Sequence, residues 1–151
     1  MHLLFRATLG LLLLSLLGVR SAIANPSLTT SATDMAATLD LDGQGTASTH
    51  IVKVANITVS TDNPDGLTLV ISSGSLSKSG GTDIPFQVTT VEDGSGPASA
   101  GNFTSSSGSN YSFNTSTAGT HDRDLYIRYS SAELQDPGHY SSSITITVLD
   151  N

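Results

Sequence analysis

Apolar and polar positions alternate along most of this chain with a period of two. In residues 124–148, Leu125, Ile127 and Tyr129 share one face, and Tyr140, Ile144, Ile146 and Val148 share another. That period belongs to half-buried strands. The same pattern predicts a strand through Leu67, Leu69 and Ile71, and another through Ile84, Phe86 and Val88, where Pro85 argues for an edge position or a strand start. A short piece around Leu76 and a short strand through Tyr111 and Phe113 complete this set. Towards the start, Met35, Ala37, Leu39 and Leu41 alternate with polar or small residues and are read as a first strand.

Residues 50–60 (HIVKVANITVS) are rich in β-branched side chains, but their apolar positions change parity, from Val52 and Val54 to Ile57 and Val59. Such a change marks a bulge or a crossing between sheets, placed here at Ala55 and Asn56. Asp62, Asn63, Pro64, Asp65 and Gly66 form a strong turn signal, so the flanking strands read as a hairpin. Residues 92–119 loosen into Gly, Ser, Asn and Thr, with Phe103 expected to pack down from a long loop. No stretch beyond residue 24 has the 3.6-residue period of a useful amphipathic helix. About seven short strands separated by turn residues predict an all-β fold, an antiparallel immunoglobulin-like β-sandwich, with a closed barrel as the alternative. Tyr140, just after Pro137 and Gly138, is either a corner residue whose hydroxyl meets nearby backbone or plain core.

Residues 1–24 have the three parts of a secretory signal: Arg6, an apolar run over residues 7–19, and Ala22-Ile23-Ala24. The run is shorter than the roughly 20 residues needed to span a bilayer. A cleaved signal peptide is therefore expected, followed by one β-domain over residues 25–151 and no membrane anchor. Beyond residue 24 the only lysines and arginines are Lys53, Lys78, Arg123 and Arg128, against all 13 acids, a formal charge of −9. A surface of that sign repels phosphate backbones and anionic lipid, which argues against nucleic-acid partners. There is no cysteine. A small exported domain without disulfides depends on packing and hydrogen bonds, or on a partner that completes its sheet.

The chemistry-bearing motifs point away from catalysis. His50, His121 and His139 have no zinc-ligand spacing, and no nucleophile-elbow pattern occurs. The run His121, Asp122, Arg123 and Asp124 is read as a solvated turn before a strand rather than an acid–base cluster. Asp40, Asp42 and Gly43, and again Asp62, Asn63 and Asp65, give fragments of a calcium loop without EF-hand spacing, and turn formation accounts for them more simply. No cofactor is expected. Sequons at Asn56, Asn102, Asn110 and Asn114 matter only in a eukaryotic secretory pathway. For sugar stacking the chain offers Tyr111, Tyr126, Tyr129 and Tyr140, with Tyr126 and Arg128 expected on an outer strand face, as a surface pair or in a cross-strand contact. This is a thin platform for the alternative reading, a monomeric adhesion or carbohydrate-binding module.

The stretches Leu67 to Ile71, Asp83-Ile84-Pro85-Phe86-Gln87-Val88, Leu125-Tyr126-Ile127, and the closing run from Pro137-Gly138-His139-Tyr140 to Val148 resemble the bacterial fimbrial subunits and spore-coat-U-like domains of the chaperone–usher class. The resemblance implies a structural subunit of a cell-surface fibre or coat, exported through a periplasm. It implies a sandwich lacking one strand, whose groove is filled first by a periplasmic chaperone and then by the N-terminal segment of a like subunit. Residues 25–42 are then the donor segment, with Met35, Ala37, Leu39 and Leu41 as the strand-complementation side chains. The chain differs from the commonest pattern in lacking a disulfide and a near-terminal aromatic. The same segment reads equally as the first strand of a complete sandwich.

Overall fold

The computed structural model describes residues 25–42 and 45–151; the expected signal segment lies outside them. The fold is all-β. Eight strands form two antiparallel sheets: β1 (Ser27–Ala32), β2 (Thr49–Thr61), β3 (Leu67–Ile71), β4 (Gly74–Leu76), β5 (Ile84–Glu92), β6 (Tyr111–Asn114), β7 (Gly119–Ser130) and β8 (Ile146–Asp150). The larger sheet runs β1-β2-β7-β5-β4 and the smaller runs β6-β3-β8. Their facing sides share one core, in which Ile57, Val59, Leu125 and Ile127 of the large sheet meet Leu67, Leu69 and Ile71 of the small one. This is a β-sandwich, with apolar residues alternating inward from both sheets.

Its long central pair is β2 with β7, in register from Thr49 opposite Ser130 to Thr61 opposite Gly119. The parity change seen in the sequence is a bulge between Lys53 and Ala55, one residue before its expected place. The extra residue lets the adjacent Val54 and Ala55 both join the core, which strict alternation forbids. On the opposite face of β7, Tyr126 is buried with Ala98 and Phe103 of the 93–110 loop, so Phe103 packs down as expected. Tyr126 is therefore not a surface residue, and Arg128 makes the cross-strand contact of the alternative expectation, donating from Nη1 to Oε1 of Gln87 directly opposite at 3.3 Å.

Four further expectations are corrected. The Asp62–Gly66 turn does not close a hairpin: β2 lies in one sheet and β3 in the other, so the turn carries the chain across the sandwich. Gly66 sits there at φ +84°, and a Cβ on it would stand 2.4 Å from the Thr115 carbonyl oxygen, so both the left-handed backbone and the close approach call for glycine. The charged run His121 to Asp124 is part of β7 and not a turn before it. The last strand begins at Ile146, while Tyr140 and Ile144 lie in the preceding segment, tied by the Ser77–Ser141 bridge. Tyr140 donates to the Asp136 carbonyl at 3.0 Å, the corner arrangement.

The remaining correction concerns the N-terminal segment. Met35 and Ala37 belong to a short 3-10 turn, Asp34–Ala37, closed by Ala36 N to Thr33 O and Thr38 N to Met35 O. Residues 38–42 have no ladder partner. The first strand is instead the polar Ser27–Ala32 segment, which pairs with β2 from Ser27 opposite Ser60 to Ala32 opposite Ala55. It is an edge strand wet on nearly all its length, so only Leu28 is half-buried. Alanine and aspartate, prominent in the alternating run, are poor strand formers, whereas threonine in β1 is a good one.

Candidate functional site

A cleft of about 620 Å³, lined by apolar side chains together with Thr30, His139, Ser141 and Ser142, opens between the sheets on the β1 and β8 side. The large sheet lends it Ala32, Ala55, Leu125 and Ile127. The segment before β8 and β8 itself lend Tyr140, Ile144 and Ile146, and the stretch after β1 lends Leu39 and Leu41. β8 is an outer strand whose ladder runs to β3 alone, from Leu67 opposite Asp150 to Ile71 opposite Ile146. Its other edge presents backbone donors and acceptors without a ladder partner among the described residues. Burial tells the same story. In β3 the inward Leu67, Leu69 and Ile71 are each 0% exposed, while Ile144, Ile146 and Val148 are only half-buried.

At the rim stands a cation. Lys78 donates to the Pro137 carbonyl and lies 5.8 Å from the centre of the Tyr140 ring. Its ammonium is within 3.5 Å of where a Cβ on Gly138 would be, and Gly138 and His139 both line the cleft.

The sequence-predicted side chains divide here. Leu39 and Leu41 pack half-buried on the core and line the cleft. Ala37 lines it too but is exposed, and Met35 is 53% exposed. The structure therefore brings three of the four to the cleft, none of them in a strand.

Beside Leu41, Asp42 gathers a polar cluster that local sequence does not reveal. Its carboxylate accepts from Ser131 Oγ at 2.7 Å, from Ser48 N and from His50 Nε2 at 2.9 Å, and from Ser48 Oγ at 3.1 Å. These donors hold the acid well below the ordinary carboxylate value, Ser131 first and His50 next, against a smaller opposing effect of desolvation. Asp40 stands close by, its Oδ1 accepting from Asp42 N at 2.9 Å, and its carbonyl accepts from the Tyr129 hydroxyl at 2.7 Å. Burial, then the charges of Asp40 and Asp42, push the Tyr129 phenol up to about 12, so it remains the protonated donor. Asp40, Asp42 and His50 lie close enough for their ligand atoms to share one cation. Their present bonds are internal to the cluster. Ser48 Oγ and Asp42 both contact His50 through Nε2, so the imidazole does not bridge them through its two nitrogens as a proton relay requires.

Other sequence candidates have structural partners. Asn63 and Asp65 build their own turn, with Asp65 N donating to Asn63 Oδ1 at 3.2 Å and Gly66 N to Asn63 O at 3.0 Å. In the His121–Asp124 run the side chains alternate outward and inward. Asp122 accepts from Thr58 Oγ1 at 2.6 Å and Asp124 pairs with Lys53 Nζ at 2.6 Å, while Arg123 stacks 3.9 Å from the centre of Phe113. Lys53 is held charged, its pKa raised first by the Asp124 hydrogen bond. None of Tyr111, Tyr126, Tyr129 and Tyr140 is exposed. The chain matches no protein-family model, and no curated protein matches it.

Proposed function

We propose that this chain is an exported structural subunit of a cell-surface fibre or coat that assembles by β-strand complementation. The observation that carries the reading is the coincidence of a free strand edge with the cleft between the sheets: an extended segment added along β8 bonds its backbone to the edge and lays alternate side chains over Ile144, Ile146 and Ile127. Such an edge selects a peptide over a small apolar ligand, because main-chain hydrogen bonds supply affinity and pockets supply specificity.

The occupant is the 25–42 segment of a second copy. Met35, Ala37, Leu39 and Leu41 supply its apolar face, and Asp34, Asp40 and Asp42 match the Lys78 ammonium at the rim. Exchange of an identical element between copies is an inexpensive route to assembly. Before assembly a periplasmic chaperone would cover the same edge.

The test is an unboiled denaturing gel beside a boiled one, with electron microscopy of the exported material. Heat-sensitive multimers and filaments are expected. Ile144→Asp places a charge in the cleft at a half-buried position outside any strand and should abolish the multimers while the monomer keeps its melting transition. A chain that stays monomeric at high concentration, or an Ile144→Asp variant that still assembles, overturns the reading.

A further inference from the structure

The stretch between the 3-10 turn and β2 is tied at both ends. Thr33, before the turn, donates to Val54 O and Lys53 O of β2, and Thr38 donates back to Met35 O and Asp34 O, while Asp42 is held at the other end. Residues 38–42 carry Leu39 and Leu41 onto the core beside the cleft, yet no ladder hydrogen bond holds them. The bonds the stretch receives from other elements gather on Asp40 and Asp42: Tyr129 and Ser131 from β7 and its exit, Ser48 before β2, and His50 within it. Asp42 receives these bonds in a left-handed backbone conformation, φ +52°, a region that non-glycine residues enter at a cost. The conformation therefore persists only while the donors surround it. Leu39 and Leu41 meanwhile occupy wall space in the cleft that an added strand would use.

Taken together with the assembly reading above, on which this rests, we propose that residues 38–42 form a clasped flap over the subunit's own cleft. Opening the Asp42 clasp frees the cleft for the alternating stretch of a second copy. The clasp thereby sets the rate of assembly and keeps newly folded subunits from pairing at once. A receptor that is competent only when the flap is open binds with an affinity reduced by the open fraction, so weakening the clasp strengthens capture.

The experiment uses the purified chain, its Asp42→Ala and Ser131→Ala variants, and a labelled synthetic peptide of residues 33–42 (TDMAATLDLD) as probe. Peptide capture is followed by anisotropy, and amide hydrogen exchange in β3 and β7 serves as a control on the fold. Losing hydrogen bonds to a charged group should speed peptide capture about tenfold in Asp42→Ala, and less in Ser131→Ala, with β3 and β7 unchanged. Capture at the same rate by all three proteins overturns the flap while leaving strand complementation standing. No capture by any of them, with no multimers on the unboiled gel, removes the assembly reading and the flap with it. If Asp42→Ala loses protection in β3 and β7 as well, Ser131→Ala decides: faster capture supports the flap and unchanged capture overturns it.

Discussion

The two long sides of the sandwich are finished differently. On the side of β6 the sheets are stitched together. Arg123 of β7 donates from Nε to Thr90 Oγ1 at 2.7 Å and from Nη2 to the Thr90 carbonyl at 3.0 Å, Tyr111 of β6 shares the Thr90 hydroxyl at 3.0 Å, and the guanidinium covers Phe113. On the side of β1 and β8 the edges stand apart, and apolar residues from both sheets face a cleft. Each flank includes an outer strand, β6 on one side and β1 and β8 on the other, so an unpaired edge alone does not distinguish them. The difference lies in what spans the gap between sheets: a cation and two hydroxyls on one side, and on the other a loop segment outside any ladder. An edge closed by its own side chains is finished; one left with half-covered isoleucines still has surface to bury.

Substitutions that compare the two sides test this directly. The largest effect is expected in the strand that both sides share. Leu69→Ala, at a position with no exposure, should cost about 3 kcal/mol, and Ile146→Ala on the open side about 1 kcal/mol, because a half-buried site loses less and relaxes more. Urea unfolding of the two variants measures the gap, and equal losses would mean that the open side is packed as tightly as the closed one. Next is Arg123→Ala, which removes two hydrogen bonds and the ring stacking on the closed side, for about 1–2 kcal/mol. It should also raise hydrogen exchange in β6 before β8. An unaffected β6 would show that the stitch does not hold that edge.

A smaller effect, with a definite pH signature, belongs to the open side. The Asp42 carboxylate, facing Asp40, His50 and Tyr129, is held below its ordinary value of 3.8. A group with a depressed folded-state pKa stabilises the protein above its unfolded value, and that contribution is lost as pH falls towards the folded one. The melting temperature of Asp42→Asn should therefore lie below that of the parent at pH 7 and pH 5. The gap should close progressively once the pH drops under about 4. A gap independent of pH would assign the effect to shape rather than charge. Smallest is Leu134→Ser, at a residue 82% exposed and away from both flanks, where stability should change by no more than about 0.5 kcal/mol.

Much of the interior was legible in the sequence because it obeys one rule. β3 buries alternate residues throughout and β5 does so over residues 84–88, and the parity change expected at Ala55 and Asn56 correctly signalled a bulge, which lies one residue earlier. The open side was not legible, for the same reason in reverse. β1 is exposed on both faces and has no apolar alternation to read, although its backbone pairs fully with β2. Met35, Ala37, Leu39 and Leu41 do alternate, but a period of two says nothing about whether the backbone between them has a partner. Asp42 was visible as an acid near a glycine, yet what fixes it includes Ser131, 89 residues away. Likewise, the Asp62–Gly66 turn identified a reversal without showing that the reversal passes from one sheet to the other.

The register of β3 carries a consequence for time rather than for structure. This strand lies at the centre of the small sheet, and one of its two neighbours is β8, with Leu67 set opposite Asp150. The other long pairing joins residues near 55 to residues near 125. Hardly any of the ladder is local, so loop closure must precede the contacts that reward it, and folding on the millisecond-to-second scale follows. A chain emerging from its N-terminus therefore has no finished small sheet until residue 150 is available, although every strand of the large sheet has been made by residue 130.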